Sequence, residues 1–142
     1  MNQQILMNFT YAPMDDDILS IANAQLELLP DELLERFNDL KVTIEEFPDE
    51  ATESDLDLED PYDLMALYKA GKDIAPGVEK KIANDDDVLV LYRRPLLDGW
   101  CETGDDLTQV IRDAMIEEIG SYFDFSEDDI EQMSAQHYQG AL

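Results

Sequence analysis

Residues 107–123, LTQVIRDAMIEEIGSYF, are the most regularly patterned part of the chain and decide the predicted fold. Apolar side chains recur there every three or four positions, which is the spacing of one face of an α-helix. A helix turns by about 100° per residue, so one apolar face collects Leu107, Val110, Ile111, Ala114, Met115 and Tyr122. We predict a single long helix from Leu107 to about Phe123, with Thr103 or Asp105 as its N-terminal cap.

An acidic residue lies in the middle of this apolar face. The same rotation places Glu118 at the centre of the face, with Glu117 and Ser121 on its flank. An ionised carboxylate is costly on an apolar surface unless it is paired, so Glu118 marks a candidate functional site. The alternative is that the helix faces a cleft or water at this point.

Three earlier segments predict the elements that this helix packs against. The alternation in LKVTIEEF, residues 40–47, is typical of a strand. In DPYDLMALYKAG, residues 60–71, Asp60 followed by proline indicates the start of a short helix. The apolar run in DVLVLYRRPLL, residues 87–97, predicts the best strand of the chain, and Pro95 suggests that this strand lies at a sheet edge.

The remaining segments complete a predicted α+β domain in which helices pack on a short mixed sheet. Asp15 opens a helix, and Ser126 caps a last short one. Residues 45–63 are strongly acidic and are predicted to be an exposed loop, held by Leu56 and Leu58. This organisation predicts a flexible lead-in over 1–14, a single domain over 15–135 and a C-terminal tail over 136–142.

The charge of the chain restricts its partners. The 142 residues carry a formal net charge of −26, which disfavours nucleic acids and anionic membranes and favours basic proteins. The alternative is that the charge only keeps the surface solvated. Cys101 is the single cysteine, so no intrachain disulfide forms, and a reducing cytoplasm is expected. Nothing resembles a signal peptide, and no apolar run approaches the ~20 residues of a membrane helix.

Four blocks of sequence, taken in order, resemble the small bacterial zincin-like metallopeptidases. They are LLPDELLERFNDLKVTIEEFPDE, DPYDLMALYKAG, LVLYRRPLLDGW and ETGDDLTQVIRDAMIEEIGSYFDFSEDDIE. The resemblance implies a compact fold in which a strand lies over a helix that bears the motif His-Glu-x-x-His. Two histidines four residues apart share one helix face and bind one Zn²⁺, and the glutamate polarises the bound water.

The chain departs from this motif at both histidines. Glu118 stands at the base position, but Glu117 and Ser121 stand at the two ligand positions, and Asp124 replaces a later glycine. The third ligand would lie among four downstream acids, which are Asp124, Glu127, Asp128 and Asp129. Serine is a poor zinc ligand, so we expect no zinc, no other cofactor and no peptidase activity.

The resemblance also implies a peptide-binding cleft. We predict that Tyr92, Arg93, Arg94 and Tyr122 contribute to it, and that an edge strand binds an extended peptide by strand addition. The alternative for the two arginines is a pair of surface salt bridges. The sequence therefore predicts a non-catalytic domain that binds a peptide or protein. Two other functions stay open: a weakly active hydrolase with non-standard, oxygen-rich metal ligands, and an acidic protein that binds basic partners without a cleft.

Overall fold

A strand of nearly continuous apolar residues, VLVLY, forms the centre of the sheet. The computed structural model describes residues 12–37, 39–71 and 87–135. Its three strands are β1 (Lys41–Glu45), β2 (Ala66–Lys69) and β3 (Val88–Tyr92), in the order β1-β3-β2. β3 pairs with β1 in parallel and with β2 antiparallel. Leu89 and Leu91 are fully buried, as expected for a strand that is covered on both faces.

The described residues form seven helical segments beside the sheet, and the predicted α+β class is confirmed. Six are α-helices: α1 (Asp15–Leu26), α2 (Asp31–Leu34), α3 (Glu50–Asp55), α4 (Arg93–Thr103), α5 (Leu107–Tyr122) and α6 (Glu127–Ala135). A single 3₁₀ turn covers Pro61–Asp63. Residues 1–11 of the predicted lead-in, and the whole predicted tail, lie outside the described residues. No helix in the described ranges has both the length and the apolar composition needed to cross a lipid bilayer.

The long helix α5 is the element that holds the domain together. It packs against α1, α4, α6 and β2, and its bounds agree closely with the predicted helix. Ile111, Met115, Ile116 and Ile119 are fully buried along it. Its cap is Asp106 rather than Thr103 or Asp105, because the Asp106 carboxylate accepts a hydrogen bond of 3.0 Å from the Thr108 backbone N–H.

The segment after Asp60 was wrongly predicted to be a helix. The Asp60 carboxylate does accept from the Tyr62 backbone N–H at 2.9 Å, but the turn that it caps ends at Asp63. The next residues form β2, whose side chains alternate between the buried Ala66 and Tyr68 and the more exposed residues between and after them. Pairing with β3 therefore outweighs the local helix signal, because it buries both of these side chains.

Two further predictions about this half of the chain were also wrong. β3 is central rather than at an edge, and it ends at Tyr92, so Pro95 lies in the first turn of α4. Proline is tolerated there because the first N–H groups of a helix have no partner within it. The acidic stretch is not a loop throughout, since it contains α3, and Leu56 is 45% exposed rather than anchored.

Aspartate residues with positive φ end two of the helices. Asp57 follows α3 with φ 53°, and Asp124 follows α5 with φ 65°. At each of these positions, two backbone hydrogen bonds run back to the last turn of the helix. After α5, the Asp124 N–H donates to the Ser121 carbonyl and the Phe125 N–H donates to the Gly120 carbonyl. This is the Schellman arrangement, in which glycine is the preferred residue. The backbone at Asp124 therefore adopts the conformation that glycine prefers, at the position where the resemblance implies a glycine.

We predict that replacing these aspartates by glycine stabilises the protein. Asp57→Gly and Asp124→Gly should each raise the free energy of unfolding by about 0.5–1 kcal/mol, because glycine adopts the left-handed conformation without strain. Asp128→Gly is the control with the same change of charge. It lies within the first turn of α6, so it should lower the free energy of unfolding by a similar amount. Urea denaturation of the three variants checks the prediction, and a destabilised Asp124→Gly protein would contradict it.

Candidate functional site

A cleft of about 270 Å³ lies between the start of β2 and the middle of α5. One wall is the chain from Asp63 to Ala66, and the other is a row of residues on α5. That row consists of Ala114, Glu117, Glu118 and Ser121. The cleft therefore contains both degenerate ligand positions and the base position of the predicted motif.

Glu118 connects the two walls. One of its carboxylate oxygens, Oε2, accepts a hydrogen bond of 2.9 Å from the backbone N–H of Tyr68 in β2. The Glu118 side chain is only half-buried. Both sequence interpretations are therefore partly right, since this carboxylate leaves the apolar face, enters a cleft and is paired there. A paired carboxylate avoids most of the cost of partial burial.

The register of β2 explains why the Tyr68 N–H points toward α5. The Met65 carbonyl accepts from the Tyr92 N–H at 2.9 Å, so the backbone groups of Met65 face β3. Backbone groups alternate between the two sides of an antiparallel strand. Ala66 and Tyr68 therefore present their N–H and C=O groups to the opposite side, toward the cleft and α5.

A cluster of aromatic rings and one buried acid fix the far end of β2. The Tyr68 ring stacks on Tyr122, with centroids 3.9 Å apart, and meets Phe123 edge-on. The Tyr68 hydroxyl donates to Asp87, which is 1% exposed and also accepts from the Gly71 N–H at 2.8 Å. Burial, together with the hydrogen bond to Asp87, raises the pKa of Tyr68 well above its usual range.

Sequence reasoning missed Tyr68 and Asp87. The only local signal for Tyr68 was the alternation of buried and exposed residues over the four positions of β2. That pattern is too short to outweigh a helix start immediately before it. Asp87 was included in the predicted strand, but the structure places it just before β3, with its side chain buried.

The two ligand positions are exposed and also line a second cleft. Glu117 and Ser121 border a space of about 470 Å³ between α5 and α6, opposite Glu127. Of the four downstream acids that the resemblance offers as a third ligand, only Glu127 lines this cleft, and Glu131 lines it as well. Asp124, Asp128 and Asp129 do not line either cleft.

These residues do not fit a zinc ion. Zinc sites use three or four sulfur, imidazole or carboxylate ligands, whereas the two motif positions offer one carboxylate and one hydroxyl. No group of three or more His, Cys, Asp or Glu side chains within the described part of the chain is arranged to hold a metal ion. Glu118, which would act on a zinc-bound water, is hydrogen-bonded to the edge strand instead.

The four residues predicted to contribute to peptide binding lie outside the lining of the 270 Å³ cleft. Tyr92 is fully buried, and burial, with Glu45, Asp49 and Glu118 nearby, raises its pKa to about 12. Tyr122 lies behind the wall, stacked on Tyr68. Their role in binding a peptide stays a prediction.

The two arginines belong to the first turn of α4 rather than to a strand. Arg93 pairs with Glu46 at 2.8 Å and donates from Nε to the Pro13 carbonyl at 2.7 Å. The guanidinium of Arg94 lies 5.7 Å from the centre of the Phe47 ring. Arg93 therefore forms a salt bridge, as the alternative to a role in peptide binding expected.

A comparison with known protein families supports the resemblance found in the sequence. Residues 37–137, more than half of the chain, match the family model described as zincin-like metallopeptidase. The match includes all three strands and the whole of α5 and α6. No curated protein gives a significant match to the chain.

We predict different effects for two substitutions of Glu118. Glu118→Gln keeps an oxygen that accepts from the Tyr68 N–H, so the free energy of unfolding should change little at neutral pH. Glu118→Ala leaves that N–H without an acceptor and should cost about 1–2 kcal/mol. Thermal and urea denaturation of both variants measure the difference, and equal stabilities would show that the hydrogen bond does not hold β2 to α5.

We predict a pH-dependent effect of Tyr68→Phe. At neutral pH the variant loses the donor to the buried Asp87 carboxylate, which should cost about 1–3 kcal/mol. Because the folded-state pKa of Tyr68 is raised, its contribution is fully present below the unfolded pKa of about 10 and is lost as pH rises above it.

The stability advantage of the wild type over Tyr68→Phe should therefore shrink above about pH 10, by up to about 1.4 kcal/mol per pH unit. The other tyrosines are present in both proteins, so their contributions cancel in the difference. Denaturation of the two proteins between pH 7 and 11.5 provides the measurement. An advantage that stays constant over this range would contradict the assignment.

Proposed function

Since the chain belongs to the zincin-like metallopeptidase family, we propose that it is a non-catalytic member that binds a peptide or protein through the family cleft. In this proposal the chain has lost zinc binding and peptidase activity and keeps the cleft as a recognition site. The family match supports the fold on which the proposal rests. The loss of catalysis and the binding of a partner are our inferences from the site.

One observation carries the proposal: the Glu118 carboxylate accepts a hydrogen bond from the edge strand that forms the opposite wall. A peptidase needs this carboxylate to act on a water molecule held by the metal. Here the same group connects α5 to β2, beside a serine where a ligand would be required. The arrangement favours a cleft that is held open for binding rather than one equipped for hydrolysis.

The wall of the cleft offers a means of binding. Within the part of the chain that the structure describes, β2 lies at an edge of the sheet and its neighbour is β3. The backbone groups of Ala66 point to the other side, where an extended peptide can add as a further strand. Main-chain hydrogen bonds would supply affinity, and the side chains of α5 would contact the side chains of the bound peptide.

Charge supports a peptide or protein partner over a nucleic acid. The net charge of −26 repels phosphate backbones and anionic membranes and attracts basic segments. We also place the protein in the cytoplasm, since its single cysteine suits a reducing compartment.

A peptide array tests the binding function directly. The purified chain should capture a subset of extended peptides, and Ser121→Trp, which places a large ring at the mouth of the cleft, should abolish that capture. Hydrolysis of the bound peptides by the wild-type chain, with or without added Zn²⁺, would contradict the loss of catalysis.

We predict that two substitutions restore zinc binding. The wild-type chain should retain no stoichiometric zinc after dialysis against trace Zn²⁺, as measured by elemental analysis. Glu117→His combined with Ser121→His places two imidazoles four residues apart on one helix face, with Glu127 across the second cleft. The double variant should bind Zn²⁺ at least tenfold more tightly and gain thermal stability when Zn²⁺ is added.

The single variant Ser121→His is the matched control, because one imidazole beside a carboxylate should give a much smaller gain. A folded double variant that binds Zn²⁺ no better than this control would show that Glu117 and Ser121 do not occupy ligand positions. About one zinc per wild-type chain would favour the alternative of a hydrolase with non-standard ligands.

A further inference from the structure

We propose that the open edge of β2 at Ala66 takes an extended peptide segment with a lysine or arginine side chain beside it. The basic side chain would lie in the 270 Å³ cleft, against the carboxylates of Asp63, Glu117 and Glu118. This inference rests on the proposed function and names the chemistry of its partner.

First, the outer side of β2 offers backbone groups to which an added strand could form hydrogen bonds. Leu64 has an extended backbone, with φ −116° and ψ 111°, but the chain bends at Met65 before it enters β2. Met65 faces β3, and by alternation the backbone groups of Ala66 face the cleft. Within the described residues, no hydrogen bond engages these cleft-facing groups of Ala66.

The second step is the point at which an added strand must stop. The Glu118 oxygen that accepts from the Tyr68 N–H occupies the position that a peptide carbonyl would take at the next rung. A bound strand can therefore pair with Ala66 but not with the Tyr68 N–H. Glu118 thereby limits how far along β2 the peptide can pair.

The third step is the charge of the cleft. Of the eight described residues that line it, three are acidic and none is basic. Asp63 and Glu117 are exposed, so their carboxylates can meet a charged group near the mouth of the cleft. A glutamate or phosphate on the peptide would be repelled there, whereas an ammonium or guanidinium group complements the cleft.

The fourth step is the apolar part of the lining. Leu64, Met65 and Ala114 offer contacts for the aliphatic stem of a long basic side chain, whose charged end stays near water. The volume is just below the range of about 300–1,000 Å³ that is usual for small-molecule sites. The cleft therefore suits one or two side chains of a bound strand better than a larger free ligand.

Three synthetic peptides test the inference on the full-length protein. They share one uncharged, extended sequence with blocked ends and differ only in a central Lys, Gln or Glu. Calorimetric titration should show the Lys peptide binding about tenfold more tightly than the Gln peptide, with the Glu peptide weakest. Glu117→Gln should reduce the Lys preference about threefold or more. Glu32→Gln removes an exposed acid that does not line the cleft, so it should leave the preference unchanged.

Ala66→Pro tests the strand addition itself. The Ala66 N–H faces away from β3, so proline removes the donor to the peptide without breaking the β2–β3 ladder. Binding of all three peptides should fall to background. If this variant does not fold, Ser121→Trp gives the same readout by filling the cleft from α5.

The outcomes separate the inference from the proposed function. Equal affinity for the Lys and Gln peptides, with both lost in Ala66→Pro, would overturn the basic preference and leave the peptide-binding function standing. Failure of every peptide to bind would overturn both. Affinity that follows peptide charge but is unchanged in Ala66→Pro and Ser121→Trp would also overturn both and would identify an acidic surface that needs no cleft.

Discussion

The hydrogen bond from the Tyr68 N–H to Glu118 is the interaction on which the rest of the site depends. It joins two segments that are 50 residues apart in sequence, the motif helix α5 and the edge strand β2. The bond fixes the width of the cleft, since it holds the two walls at one rung of the strand. It also assigns the carboxylate at the base position to a structural role. The same geometry therefore defines the cleft and supports our proposal that its acid has no catalytic role.

The edge strand depends on side chains as much as on its ladder to β3. With only four residues, β2 makes few backbone hydrogen bonds, and a strand of that length is weakly determined by its own sequence. Tyr68 compensates by stacking on Tyr122 and donating to the buried Asp87. Asp87 also holds Gly71, so one carboxylate fixes the positions where the chain leaves β2 and enters β3. The fold thus places an acid in its interior and supplies it with donors from Tyr68 and Gly71, among other partners.

The scarcity of basic residues shapes the surface of the molecule. Several of the nine have structural partners: Arg93 pairs with Glu46, Arg112 is buried and donates to the Leu28 carbonyl, and Arg36 lies over Phe125. Burial lowers the pKa of Arg112, yet its hydrogen bond to the end of the α1 region keeps it in place. The residues that line the two clefts include no described basic side chain. The described residues that line the two clefts are therefore acidic or uncharged.

Features that depend on the local sequence pattern were predicted correctly. Features that depend on contacts with residues distant in sequence were not. Periodicity located α5 and placed Glu118 on its apolar face, but it could not show that Tyr68 supplies the partner. The signal at Asp60 correctly indicated a turn, and the strand after it was missed because pairing with β3 determines it. The apolar run before Arg93 gave no sign of its end, since tyrosine and arginine continue the alternation. Only the tertiary contacts of α4 show that a helix begins there.

The ligand positions of the zinc motif and the turn that follows its helix have separate physical requirements. The turn can therefore be kept where the ligand residues differ. The ligands serve only the metal, so their replacement by Glu117 and Ser121 on an exposed helix face leaves the core unchanged. The turn after the helix serves the fold, because it directs α6 back along α5. Asp124 adopts the left-handed conformation that this turn requires, although a glycine would do so with less strain. Gly120 then allows close packing, since a Cβ atom there would lie 2.8 Å from Ile130 of α6. The geometry of the family thus depends on packing constraints, and those constraints keep the cleft in place whichever residues occupy the ligand positions.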